Sequence, residues 1–183
     1  MYWCKNIYHT LFAAGVGIAL LFPACKPAIK EDATAKYFDL KAYFKADSAR
    51  LTQMHKPVLK TVTHNGITES KKVNITNWAQ ELNLFSQSDI NKPAWRDSYK
   101  IQRGEHTLIY MAMDPDLKTR EIIINKKKDG GVQYIAIYNY TKNLLYDTRE
   151  KLTYIPDSIY KIEKTQHVKL LGTNKYVITG SFN

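Results

Sequence analysis

Residues 26–183 contain no cysteine, and the two in the chain are Cys4 and Cys25. That absence excludes disulfides, thiolate zinc sites and a cysteine nucleophile from everything beyond position 25. Paired histidines are missing as well. His55, His64, His106 and His167 show neither the His-Glu-x-x-His nor the His-x-His spacing that brings two imidazoles to one metal. No metal site and no cofactor is therefore expected. Gly-x-Ser-x-Gly, the phosphate-binding loop and Gly-x-Gly-x-x-Gly are absent. Ser158 and Lys161 match a Ser-x-x-Lys pattern. That chemistry needs the serine at a helix start with two further elements, and here it stands before an expected strand without them. Asp114, Pro115 and Asp116 lack the other ligands of a calcium loop and read as a turn. With no catalytic motif present, a non-enzymatic protein is expected.

A membrane span is missing too. The apolar run Leu11 to Ala24 covers 14 residues, short of the roughly 20 that cross a bilayer. Lys5 supplies a positive charge before the run, Pro23, Ala24 and Cys25 close it, and Lys26 to Asp32 is polar. This is the layout of a secretory signal. Residues 22–25 resemble a lipobox, whose pattern is Leu, a small residue, Ala or Gly, then Cys. Phe22 stands here in place of the Leu and Pro23 in place of the small residue. The resemblance implies a signal peptide over 1–24, lipid on Cys25, and an exported protein anchored in the cell envelope. Its place would be the outer membrane, facing the periplasm or the cell surface. Residues 25–34 then form a tether. Lys30, Glu31 and Asp32 are similar to the surface-export signal of Bacteroidetes lipoproteins, displaced five residues from Cys25.

Removing residues 1–24 from 183 leaves 159, which fits a single domain over 35–183. A chain of that size supports a core without disulfides. The net charge of +10 falls to +9 with the loss of Lys5. A basic balance attracts anionic headgroups or acidic polymers, and export makes nucleic acid a poor partner.

Periodicity predicts a helix over about 35–53, with Tyr37, Leu40, Tyr43, Phe44, Leu51 and Met54 at helical spacing and Pro57 as its stop. Residues 58–64 and 67–73 flank Asn65-Gly66, a hairpin signal. A shorter helix follows over 78–86, with Trp78, Leu82 and Phe85 on one face. Residues 88–95 read as a loop. From Tyr99 onward only strands are expected: 98–103, 107–113, 119–125, 132–140, 144–146, 151–155, 160–164, 167–171 and 176–182. Turns are placed at 114–116, 128–131, 156–158 and 172–174. The expected fold is α+β: one curved antiparallel sheet, a meander of about eight to ten strands, open or partly closed as a barrel, with two helices packed on it. The lysines 126–128 read as protection of a strand edge.

Residues 108–113, 122–124 and 132–138 are apolar on both strand faces, whereas a sheet covered on one side alternates. Tyr134, Ala136 and Tyr138 share one face, Ile135 and Ile137 the other. Either loops or a partner cover the outer face, or the sheet wraps an apolar cavity. Residues 26–183 hold eleven tyrosines and two tryptophans. Trp95, in a polar loop segment, and Tyr134 and Tyr138, on one strand face, are the candidate ligand-binding residues. In layout the whole chain resembles small uncharacterised lipoproteins of the Bacteroidetes type, a likeness that carries no catalytic residues with it. Two functions are expected to compete. One is a binding or assembly module of the envelope with a protein or glycan partner. The other is a carrier of acyl chains, similar in outline to lipoprotein-localisation factors.

Overall fold

The computed structural model describes residues 36–182. The expected signal peptide, Cys25 and the tether lie outside the described residues. Helix α1 spans Leu40–Met54, starting five residues later than the periodicity predicts. The reason is Asp39, whose carboxylate accepts a hydrogen bond from the Ala42 amide at 2.7 Å and caps the first turn. Leu40, Phe44 and Leu51 bury one stripe of the helix together with Asp47 and Ser48. His55, in the left-handed region at φ 49°, ends it ahead of Pro57. Tyr37 precedes the helix but is buried all the same. Its hydroxyl donates to the Arg96 carbonyl at 2.6 Å, so it acts as an anchor rather than a helical position.

Strands β1 (Val58–His64) and β2 (Ile67–Val73) form the expected hairpin. Asn65 and Gly66 take φ 50° and 91°, the pair of positive values that a tight primed turn needs. The expected second helix is two short pieces, α2 (Trp78–Glu81) and α3 (Asn83–Gln87), meeting at Leu82. Trp78, Leu82 and Phe85 are all buried. The tight bond from the Phe85 amide to the Leu82 carbonyl at 3.1 Å resets the helix between them.

Seven further strands follow: β3 (Tyr99–Arg103), β4 (Thr107–Ala112), β5 (Thr119–Lys126), β6 (Val132–Lys142), β7 (Tyr146–Ile155), β8 (Ile159–Val168) and β9 (Gly172–Ser181). Two pairs of expected short strands are thus single ten-residue strands, β7 and β8. The polar residues within them alternate like any other strand residues, with Thr148 and Glu150 facing inward and buried. The expected turn at 172–174 is strand as well. The chain reverses one step earlier, where Leu170 takes φ 73°.

All nine strands form one open antiparallel sheet in the order β2-β1-β9-β8-β7-β6-β5-β4-β3. The meander from β3 to β9 is as expected, and the β1–β2 hairpin docks on β9. Lysines 126–128 sit at the turn between two interior strands, so they protect no edge. The edges are β2, with Lys71 and Lys72, and β3, with Lys100 and Arg103. Ile122, Ile137, Leu152, Ile162 and Ile178 are successive cross-strand partners on the inner face. The first four are core residues beneath the helices and Ile178 packs against that core. Phe44 meets Phe85 and Tyr154 with ring centroids 5.0 and 5.1 Å apart. The inner apolar residues are therefore packed core rather than the wall of a cavity.

Candidate functional site

The opposite face of the sheet carries the residues most suited to recognition. Its register is fixed by the core: wherever Ile122, Ile137, Leu152 and Ile162 point inward, their strand neighbours point outward. One outward row runs Met111, Glu121, Tyr138, Lys151, Glu163 and Val177 from β4 to β9. The next places Tyr140 opposite Arg149 and Arg149 opposite Thr165. Between the two rows lies a shallow depression of about 380 Å³, bordered by Arg120, Tyr138, Tyr140, Arg149, Lys151 and Glu163. The Lys151 ammonium stands 5.7 Å from the Tyr138 ring centroid and the Arg149 guanidinium 5.6 Å from that of Tyr140. Both are at the outer limit of cation–π attraction. Lys161 pairs with Glu163 at 2.9 Å. Among the described residues no helix packs on this face. Cations beside tyrosine rings offer planar stacking and charge-assisted donors.

Tyr134 and Tyr138 share this face, four residues apart on β6 and half-buried by their neighbours. They flank Ala136, which is fully buried. Trp95 is not brought to them. It closes a short 3₁₀ turn, Pro93–Trp95, and packs against the core. The Lys92 ammonium covers its ring at 3.8 Å. Its carbonyl and that of Arg96 receive the Tyr37 hydroxyl. Trp95 thus fastens the loop to the start of α1. Cys25 lies outside the described residues.

A buried polar network lies inside the sheet, and no linear motif signals it. Asn139 Nδ2 donates to Ser88 Oγ at 2.9 Å and to Glu150 at 3.4 Å, and Ser88 Oγ donates to the Leu84 carbonyl at 2.8 Å. Thr119 Oγ1 donates to the Ser88 carbonyl, and the Tyr99 hydroxyl to the Thr119 carbonyl at 2.9 Å. Burial pushes the Tyr99 phenol up to about 12. Glu150, only 8% exposed, sits between Lys164 at 3.6 Å and Lys118 at 4.0 Å. Asn139 Oδ1 and Thr148 Oγ1 find no hydrogen-bond partner among the described residues. The network joins α3 to the middle of the sheet. The sequence signal for it was inward register: Asn139, Glu150 and Lys164 are cross-strand partners in one row.

The four histidines among the described residues stay apart. His64 stacks on Tyr176 with centroids 4.4 Å apart, His167 meets Thr173 Oγ1 at 3.0 Å, His106 lies 3.5 Å from Glu105, and His55 caps α1. Among the described residues there is no group of three potential metal ligands and no helix long and apolar enough to cross a membrane. Ser158 lies in the β7–β8 turn, its amide bonded to the Ile155 carbonyl at 3.1 Å. Asp114 caps its own turn by accepting from the Asp116 amide at 2.8 Å. Comparison with known protein families, curated proteins and solved structures finds no match to this chain.

Proposed function

We propose that this protein is an exported lipoprotein of the cell envelope, anchored through Cys25, whose domain is a non-enzymatic binding and assembly module. The observation that carries this reading is the outer sheet face. It presents Met111, Tyr134, Tyr138, Tyr140 and Arg149 across adjacent strands with no helix on them. Tyrosine, arginine and methionine are the residues enriched where proteins meet. Arg120, Arg149, Lys151 and Lys161 outnumber Glu121 and Glu163 there, so the face suits a partner with an acidic, partly apolar surface.

A photoreactive amino acid in place of Tyr138, expressed in the full chain, tests this. The expected result is one discrete adduct that disappears when Arg149→Glu is added. A crosslinking pattern unchanged by Arg149→Glu, and equal to that from the same amino acid at the Asp129 turn, would sink the reading.

One observation favours an apolar-ligand carrier. A groove of about 410 Å³ runs between α1 and α2, with Phe44, Ala49, Trp78 and Ala79 along it and Lys41 and Lys45 at its rim. A chain purified without detergent would then hold a discrete lipid mass in native mass spectrometry. Replacing Ala79 by Trp would remove that mass. A bare monomer mass counts against the carrier.

A further inference from the structure

We propose that two neighbouring turns, residues 143–145 and 169–171, form a tip that inserts its leucines into a lipid bilayer with anionic headgroups. Leu144, Leu145, Leu170 and Leu171 are 85%, 70%, 105% and 82% exposed. The two turns are one surface: the Lys169 amide donates to the Leu145 carbonyl at 2.9 Å, and Tyr146 is paired with Val168. Soluble proteins scatter single apolar residues over their surfaces, but a contiguous cluster marks a contact site.

The turn chemistry sharpens the point. Leu170 occupies φ 73°, a conformation that glycine or asparagine adopts without strain and leucine rarely does. In the first turn, Asn143 Oδ1 accepts from the Leu145 and Tyr146 amides, both at 2.9 Å. Backbone and Asn143 therefore hold that turn, and its leucine side chains stand mostly in solvent. The turns begin seven residues along β7 and β8 from Leu152 and Ile162, about 23 Å beyond that core row. They are free to penetrate a surface that the body of the domain only approaches.

A bilayer fits this tip better than a protein does. Hot spots between proteins favour Trp, Tyr and Arg, and leucine is under-represented in them. Lys142 and Lys169 flank the two turns, both exposed, with Asp147 as the acidic neighbour of Lys142 in register. Aliphatic residues at a protruding end with lysines just behind them match acyl chains beneath anionic headgroups. The inference stands on these residues alone and does not depend on lipid at Cys25 or on a partner for the outer face.

The test uses the full chain with Cys4→Ser, Cys25→Ser and Leu171→Cys, labelled at position 171 with an environment-sensitive dye. The vesicles contain phosphatidylglycerol and phosphatidylcholine with nitroxide on the acyl chains. A second chain carries the dye at Asp129→Cys, in the β5–β6 turn at the opposite end of the strands. We expect quenching at 171 and none at 129, with a several-fold weaker signal in vesicles of phosphatidylcholine alone. Adding Leu144→Glu and Leu170→Glu should weaken the quenching about tenfold or more, with circular dichroism unchanged. Equal aqueous accessibility of the dye at 171 and 129 in both vesicle types would overturn the proposal. So would quenching indifferent to the two glutamates. Burial of the dye without vesicles, rising with protein concentration, would assign the tip to a second copy of the chain instead.

Discussion

Tyr154 and Tyr160 stand opposite each other on β7 and β8, and each donates its hydroxyl to a carboxylate on a different helix. Tyr154 donates to Asp47 on α1, and Tyr160 to Glu81 on α2 at 2.6 Å. Arg50 completes the first station, bridging Asp47 and Asp157 at 2.6 Å each. Lys60 completes the second at 2.7 Å from Glu81. The helical layer is thus held on the sheet by apolar packing and by two charged fastenings at the middle of a cross-strand pair.

Replacing Tyr154 or Tyr160 by Phe keeps the ring and deletes the donor. Hydrogen bonds to charged groups are worth about 1.5–3 kcal/mol net, and Asp47 is only 8% exposed. Each single substitution is expected to lower stability by about that amount in urea unfolding. Tyr154→Phe in an Asp47→Asn background should cost less, because the carboxylate it served is gone. Equal costs in both backgrounds would show that the fastening is not energetic.

Gly180 is the direct cross-strand partner of Tyr160, and a Cβ at that position would overlap the Tyr160 ring. The ring has little freedom to retreat, since Glu81 holds its hydroxyl and Trp78 meets it edge-on with centroids 6.1 Å apart. Gly180→Ala should cost about 1–3 kcal/mol as an overpacked site does. In a Tyr160→Ala background the same change should be nearly neutral. Thermal unfolding of the four proteins in that cycle decides the matter.

Much of this architecture was legible beforehand, and the misses share a cause. Helix α1, the Asn65-Gly66 hairpin and the meander are marked by period and by turn residues whose backbone preferences leave little choice. Strands β7 and β8 each read as two because Thr148 and Glu150 in the one, and Thr165 and Gln166 in the other, break the apolar pattern while keeping the alternation; of these, Glu150 is met inside by Asn139 and Lys118. The β8–β9 turn was misplaced because leucines fill it where glycine would be expected. The outer-face tyrosines were found from strand register. The polar loop around Trp95 gives no sign in the sequence that its backbone carbonyl serves Tyr37.

Alkaline pH should release the core. Burial above all raises the phenols of Tyr43, Tyr99, Tyr154 and Tyr160, with Asp47 adding to Tyr43 and Tyr154 and Glu81 to Tyr160. In the unfolded chain they ionise near the ordinary value of about 10. A folded value raised above the unfolded one gives stability that is complete below about pH 10 and is lost as pH climbs past it. For Tyr99 the loss runs toward 12. The thermal midpoint should therefore be insensitive to these groups at neutral pH and fall steeply above about pH 10. Tyrosinate absorbance should rise together with unfolding. Gradual ionisation of all four tyrosines in a chain that stays folded would contradict their burial.

Cys25 supplies the last prediction. One buried methylene contributes roughly 0.8 kcal/mol, so a single acyl chain holds a protein only marginally and two or three hold it for good. The proposed anchor at Cys25 would have that strength without a spanning helix, and none is present among the described residues. Cells fed labelled palmitate should transfer the label to the wild-type chain and none to Cys25→Ser. The variant should leave the membrane fraction in high salt or carbonate, while the wild type needs detergent. Its thermal midpoint should match that of the wild type, because the buried core residues among those described run from Tyr37 to Ile162. Label retained on Cys25→Ser, or a wild-type chain stripped by carbonate, would remove the anchor and leave only the leucine tip to hold the domain at a membrane.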